Sequence, residues 1–321
     1  MNLKRKRFGF STTVITSLVI AALWILLSVT TRTFFTAHNI GNLFSQEAIV
    51  GVLTVGQVYV IITAGIDLSV GTVMALSNVV LSLLIVNMGM SIFLAIILSI
   101  TLATAFGFLN GVIIYELNMP PFIVTLGTMT IALGISLLLT NGGTVSGLPL
   151  SFANFGSGSF IGIPNLSWIM IITIIVGEIF LKFSRFGRYV YAIGSNVEAA
   201  RLSGVNVRRV IYGVYTFSGF LAGIAGLMLT ARLWMGVPTA GSTSNLDSIA
   251  SAAIGGASLF GATGSAVGGF LGATVIATIE NGTVLLNISS FWQQVIVGSL
   301  IIGTVALDQI RKKQKYTYIK K

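Results

Sequence analysis

Apolar runs recur along this chain, at about 12–31, 43–63, 70–87, 91–115, 122–140 and 166–183, then at 210–232, 248–262, 266–286 and 290–307. A helix rising about 1.5 Å per residue needs roughly 20 such residues to cross a hydrocarbon layer about 30 Å thick. Backbone polar groups in lipid must be satisfied within the spanning element, which restricts the chain to helices or a closed barrel. Runs of this length, without strict alternation, favour helices. Only 8% of the residues are charged, against about 25% in a soluble domain. The expected fold class is all-α, a polytopic membrane protein of about ten transmembrane helices. The run at 248–262 falls short of a full crossing and is expected to be tilted, broken or re-entrant.

The formal charge of +10 lies at the ends of apolar runs, in Lys4–Arg7, in Lys182–Arg209, and in the tail Arg311, Lys312, Lys313, Lys315, Lys320 and Lys321. The positive-inside rule accounts for these clusters better than nucleic-acid binding does, so no nucleic-acid partner is expected. Six spans before the central cluster and four after it place all three clusters, and both termini, on the cytoplasmic side. The run after Lys4–Arg7 is long enough to span, with no small-residue cleavage site after it, and reads as an uncleaved first span. The whole chain, 1–321, reads as one transmembrane domain. Its first half covers about 10–183, a cytoplasmic loop 184–209, the second half about 210–310 and a basic tail 311–321.

Chemistry is excluded more readily than it is assigned. There are no cysteines, and the single histidine, His38, is expected in a solvated loop. No phosphate-cradling G-x-x-x-x-G-K-[ST] occurs, and no nucleophile is paired with a base, so neither a bound nucleotide nor an enzyme is expected. The glycines Gly264, Gly268 and Gly272 recur every four residues and suggest one helix face for close packing.

The main hydrophilic interruption runs from Arg185 to Arg209. Ser195 followed three residues later by Glu198 is a capping-box pattern, and Gly204 is placed to end the helix in a left-handed conformation. A short exposed helix over 195–204 follows, either as part of a topology-setting loop or as a handle for a partner. The other long polar stretch, from Asn141 to Pro164, is uncharged and falls outside by parity. It reads as a connector or the rim of an external vestibule.

Ionisable residues inside apolar runs need a reason, since a charge near the bilayer centre costs at least about 2.5–3.5 kcal/mol. Asp67 follows the helix break Thr63-Ala64-Gly65, and Asp67 or Ser69 is placed to cap the next helix; Asp247 before Ser248 reads the same way. Glu116, before Pro120-Pro121, is expected at a membrane edge, and Arg232 is expected to snorkel to the interface. Glu280 with Asn281 is expected to face protein or a pore. Gly65-Ile66-Asp67-Leu68-Ser69 resembles Asn245-Leu246-Asp247-Ser248, and Asn110-Gly111 resembles Asn281-Gly282. Opposite orientations of the matched runs imply inverted repeats with a pathway between them. The candidates for helix breaks or the pathway are Gly65, Asp67, Ser69, Asn110, Asn245, Asp247, Glu280 and Asn281. Asn78 and Asn141 are further amides, able either to offer hydrogen bonds in such a pathway or to bridge helices.

Three ordered blocks carry a family resemblance: Ile62-Thr63-Ala64-Gly65-Ile66-Asp67-Leu68-Ser69-Val70-Gly71, then Gly187 to Gly204, then Leu246-Asp247-Ser248-Ile249-Ala250 with Gly255-Gly256 and Gly261. Together they resemble the permease subunits of bacterial ABC importers, in the ribose, xylose and galactoside branch of the family that also contains branched-chain amino acid permeases. The resemblance covers about residues 40–310. It implies a type II importer-like fold in the bacterial cytoplasmic membrane and pairing with a second copy or a related chain. It also implies cytoplasmic ATPase subunits that use ATP and Mg, and an external sugar-binding protein. The coupling helix of such permeases would here comprise Ser195, Asn196, Glu198, Ala199, Ala200, Arg201 and Gly204. The extended Ile-x-Leu-Pro motif of other importers is missing, since Val214-Tyr215-Thr216 follows, which fits the sugar branch rather than the maltose-type fold. An amino acid or nucleoside cargo, or an ion-coupled secondary transporter with Asp67 or Asp247 titrating, are the competing readings.

Overall fold

The computed structural model describes residues 12–319; Lys4–Arg7 and the side chains of the basic tail lie outside the described residues. Five helices come first: α1 (Thr12–Thr30), α2 (Ala37–Ile62), α3 (Val70–Val86), α4 (Ile92–Glu116) and α5 (Pro121–Thr140). A small excursion follows, with α6 (Leu150–Ser157) and the antiparallel pair β1 (Ser159–Phe160) and β2 (Ile163–Pro164). Next come α7 (Asn165–Phe183), α8 (Arg185–Ser195) and α9 (Val197–Leu202), then α10 (Val207–Leu233), α11 (Ser244–Ile254), α12 (Ala266–Leu285) and α13 (Ser290–Ile319). Among the described residues the fold is all-α apart from that hairpin.

Seven helical segments are long and apolar enough to cross a membrane: α1, α2, α4, α5, α7, α10 and Phe291–Ile310 of α13. The remaining three apolar runs differ for identifiable reasons. Helix α3 has 17 residues, about 25 Å of rise. Helix α12 has 20 residues but is diluted by glycine, threonine, Glu280 and Asn281. The run at 248–262 is broken: α11 ends at Ile254, and the chain then turns through Gly256, Gly261 and Ala262, all at positive φ.

Helix starts follow local capping chemistry. Thr36, Ser184, Asn206 and Ser265 each accept a hydrogen bond from a backbone N–H in the first turn of α2, α8, α10 and α12 respectively. Pro121 occupies the first turn of α5, where its missing N–H costs nothing.

One large buried cluster draws on both halves, from Ala48 and Val58 through Val214 and Ala266. Its densest seam is α4 against α10: a Cβ on Gly107 would stand 2.2 Å from Tyr215 O, and one on Gly219 would stand 2.5 Å from Ala103 O. Backbones approach this closely only where side chains are absent. The glycine stripe is corrected in part. Gly268 and Gly272 face α11, against Gly255 and Ser251, whereas Gly264 precedes α12 with φ +156° and belongs to a loop.

The stretch 141–164 is more ordered than its composition suggests. Gly156 in α6 packs directly on Ala231 O, Trp234 Nε1 donates to Leu148 O at 2.9 Å, and Val145 pairs with Gly236. His38 lies in the first turn of α2, beside Asn42, rather than in a loop. Beside them, Arg232 lines a cavity of about 610 Å³ between α2, α6, the hairpin and α10, and its guanidinium meets Gln46 at 3.5 Å. Glu116 sits at the expected helix edge, where it pairs with Arg208 at 2.6 Å.

Candidate functional site

At one end of the bundle the chain leaves α7, turns at Ser184 and enters α8. The buried face of α8 comprises Gly187, Val190 and Ile193, spaced as one side of a helix, while Arg185, Arg188 and Tyr189 are exposed. Gly194 seats this helix on the end of α2, because a Cβ there would stand 1.7 Å from Ile62 O. Ala262 N donates to the same carbonyl at 3.0 Å, and Tyr191 Oη donates to Gly264 O at 2.7 Å. Burial pushes the Tyr191 phenol pKa up, and the nearby Glu178 carboxylate adds to the rise.

Helix α9 is the short exposed helix, with one correction to its start. Ser195 is the last residue of α8, and the residue that caps α9 is Asn196, whose Oδ1 accepts from Ala199 N at 2.9 Å. Asn196 is extended between the two helices, so Ser195 cannot reach the following turn, and the Ser195–Glu198 capping box does not form. Glu198 instead pairs with Arg201 at 2.8 Å, a solvent-facing contact of little energetic weight. Gly204 ends the segment as expected, with φ +82° after the C-cap Ser203.

The orientation of α9 redistributes the residues able to touch a partner. Ala200 is buried against the bundle, and Ala199 faces outward. Leu202 is 88% exposed and Val197 40% exposed, an uncovered apolar pair that sequence reasoning missed. Leu202, two residues beyond Ala200 and so on the opposite side of the helix, was the available signal, obscured because an apolar residue is unremarkable in a chain this hydrophobic.

A second constellation lies at the break between α2 and α3. Asp67 is 1% exposed; its Oδ1 accepts from Ser69 N at 2.9 Å and Ser69 Oγ at 2.6 Å, and its Oδ2 accepts from Ser218 Oγ at 2.9 Å. Asn110 Nδ2 donates to Ser69 Oγ at 3.0 Å, and Thr128 Oγ1 donates to Asn110 Oδ1. Thr125 Oγ1 donates to Ile66 O at 3.1 Å. Gly65 lies against Tyr215 Oη, which has no hydrogen-bond partner among the described residues. Gly65, Asp67, Ser69 and Asn110 are therefore brought together, with contributions from α4, α5 and α10. Asp67 closes a turn onto Ser69, and Ser69 occupies the N-cap of α3 without a side-chain cap bond.

The other four candidates do not join this network. Asp247 lies inside the first turn of α11, whose N-cap is Thr243, so the capping expectation is corrected there. Asn245 is buried beside Met129, with Oδ1 unpartnered among the described residues. Glu280 accepts from Gln46 Nε2 at 3.0 Å, and Asn281 exchanges two hydrogen bonds with Asn39, both toward the opposite end of the bundle. The Asn78 amide is satisfied by Thr230, Met235 and Val237 and so serves structure, and Asn141 is the left-handed cap of α5 through its backbone. No group of three or more metal-ligating side chains occurs among the described residues.

The arrangement pairs a protruding, capped helical handle with a polar network buried between helices. The former leaves Val197 and Leu202 uncovered, and the latter ties the break between α2 and α3 to α4, α5 and α10. The family described as branched-chain amino acid transport system / permease component matches residues 39–305. The chain is 42% identical to the ribose import permease protein of Bacillus subtilis, over 90% of this chain and 89% of the relative. It is 38% identical to the D-allose transport system permease protein of Escherichia coli, over 87% and 86%. It is 37% identical to the fructose import permease protein of Rhizobium meliloti, over 87% and 80%. No solved structure matches the chain.

Proposed function

Because the chain belongs to the family of branched-chain amino acid transport system permease components, we propose that it is the membrane-spanning subunit of a bacterial ABC importer that carries a sugar, ribose or a similar pentose or hexose. The observation that carries the energetic side of this reading is α9. It is a capped helix with Leu202 uncovered, in a chain whose sequence has no nucleotide-binding loop. Cytoplasmic ATPase subunits that use ATP and Mg would bind there, and an external sugar-binding protein would deliver cargo at the opposite end. A second copy or a related chain would complete the membrane unit. On this reading the α8–α9 end is cytoplasmic, together with both termini.

Ten membrane-inserted helices in two inverted halves are part of the same proposal. The packing supports it: α2 lies on α12 as α10 lies on α4, and α3 contacts α4 and α5 as α11 contacts α12 and α13. Exchanging α2, α3, α4 and α5 for α10, α11, α12 and α13 therefore maps one set of neighbours onto the other. Such repeats place a pathway at their interface, near the two helix breaks. ATP-driven closure of the ATPases would shift α8–α9 and turn this pathway from outward-open to inward-open.

Reconstitution of the chain with its ATPase and binding protein tests this reading. Expected is ATP-dependent uptake of labelled ribose that competes with unlabelled pentoses, withstands collapse of the ion gradient and is unaffected by amino acids. Uptake that tracks the ion gradient, or that amino acids or nucleosides block, would replace the sugar-importer reading.

A further inference from the structure

Helix α7 carries an acidic residue, Glu178, in an otherwise apolar stretch, and it is only 9% exposed. An unpaired carboxylate there would be expensive. Its Oε2 accepts from Ala266 N at 2.7 Å and Val267 N at 3.1 Å, the first two residues of α12, and its Oε1 lies 2.7 Å from Lys182 Nζ. A carboxylate at a helix N-terminus satisfies donors that have no partner within the helix and opposes the helix dipole. On the other side of the same segment, Tyr191 Oη of α8 donates to Gly264 O at 2.7 Å. The neighbouring Tyr59 Oη donates to Gly177 O at 2.6 Å, which ties α7 to α2 at the same level.

The covalent chain joins the α8–α9 segment to α7 and α10 only. Two contacts distant in sequence add a further attachment: Tyr191 ties α8 to Gly264 in the loop that enters α12, and Glu178 ties α7, the helix that leads into α8, to the first turn of α12. At its far end α12 carries Glu280 and Asn281, bonded to Gln46 and Asn39 of α2. A rigid helix about 30 Å long would transmit a push at Gly264–Val267 to that end. We propose that Glu178 and Tyr191 are positioning residues that make α12 follow α8–α9, so the coupling stroke reaches the far end of the pathway through α12. This inference rests on the reading of α8–α9 as the ATPase-driven element.

The test uses the whole transporter in proteoliposomes. The chain contains no cysteine, so Tyr189→Cys on α8 and Val284→Cys on α12 introduce two unique spin-label sites, both exposed. The 189–284 separation is expected to stay fixed between nucleotide-free and ATP-trapped states, while a 109–284 separation, measured with Leu109→Cys on α4, changes. In a Glu178→Ala, Tyr191→Phe background the 189–284 separation should broaden and shift with nucleotide. Sugar uptake per ATP hydrolysed should fall about tenfold, within the range of coupling between distant sites, with hydrolysis itself retained. Glu178→Gln, which keeps an acceptor oxygen without the charge, is expected to lose about threefold and serves if the alanine variant fails to insert. A 189–284 separation that already changes with nucleotide in the unsubstituted background, or unchanged uptake per ATP in both variants, overturns the link. Absence of sugar uptake before any substitution would instead overturn the cargo assignment. The distance comparison, which needs only the ATPase and nucleotide, would still decide the role of α12.

Discussion

Asp67 and Ser218 stand 151 residues apart in the chain and meet across 2.9 Å in its buried interior. This bond fixes the break between α2 and α3 to the middle of α10, one of the helices that emerge from the α8–α9 end. Asp67 also accepts from the N–H and hydroxyl of Ser69, so replacing it with alanine strands three donors at once. Asp67→Ala is expected to destabilise the protein by about 3 kcal/mol or more and Ser218→Ala by about 1–2 kcal/mol. Thermal unfolding in detergent, followed by tryptophan fluorescence, ranks the two; equal losses would show that Ser218 carries the network alone.

Asn196, not Ser195, caps α9. Asn196→Ala should cost about 1 kcal/mol of local stability, while Asn196→Asp and Ser195→Ala should cost little. Backbone hydrogen exchange across 197–203 reads this directly. Faster exchange in Ser195→Ala than in Asn196→Ala would restore the capping box between Ser195 and Glu198.

Leu202 is 88% exposed at the outer face of α9. If an ATPase groove covers it, Leu202→Ser should weaken the membrane–ATPase complex by about 1.5–3 kcal/mol, roughly tenfold or more, without lowering the unfolding temperature of the isolated permease. Affinity measured in nanodiscs tests this; unchanged binding would place the contact elsewhere on the segment.

Gly204 has open space where a Cβ would stand, so its constraint is backbone conformation at φ +82° rather than crowding. Gly204→Asp places a charge at the proposed contact and adds about 1–2 kcal/mol of left-handed strain, whereas Gly204→Asn is better tolerated. The aspartate variant should reach the membrane normally and hydrolyse ATP with its partners while uptake per ATP falls. Normal transport by that variant would sink the coupling role of the segment.

Gly107 and Gly127 make a matched pair. A Cβ at Gly107 would meet Tyr215 O at 2.2 Å and Gly219 Cα at 2.9 Å, but one at Gly127 would meet nothing within 4 Å. Gly107→Leu should push α4 off α10 and remove the protein from the membrane fraction, while Gly127→Leu should accumulate normally. Immunoblots of membrane fractions settle the comparison.

Much of this molecule was legible in order along the chain. The apolar runs located most of the long helices closely, since crossing length and backbone satisfaction are local requirements, although α2 begins earlier, at Ala37, and α13 runs on to Ile319. The glycine at 204 announced a helix end because its conformation is a property of that one residue. The break at Gly65–Ser69 and its acid were visible for the same reason.

Tertiary structure decided the partners. Ser195 and Asn196 are both competent caps, and the choice fell to Asn196 because α8, seated on the end of α2 at Gly194, runs on through Ser195 before the chain extends at Asn196. Nothing near Glu178 in sequence indicates that it holds the start of α12, or that Asn110 and Ser218 converge on the break at Asp67. Such contacts join residues far apart in the chain. They arise when whole helices pack and buried polar groups must find whichever donors the packing brings within reach. Hydrophobic length fixes the helices; the satisfaction of the few polar groups among them fixes how they are tied together.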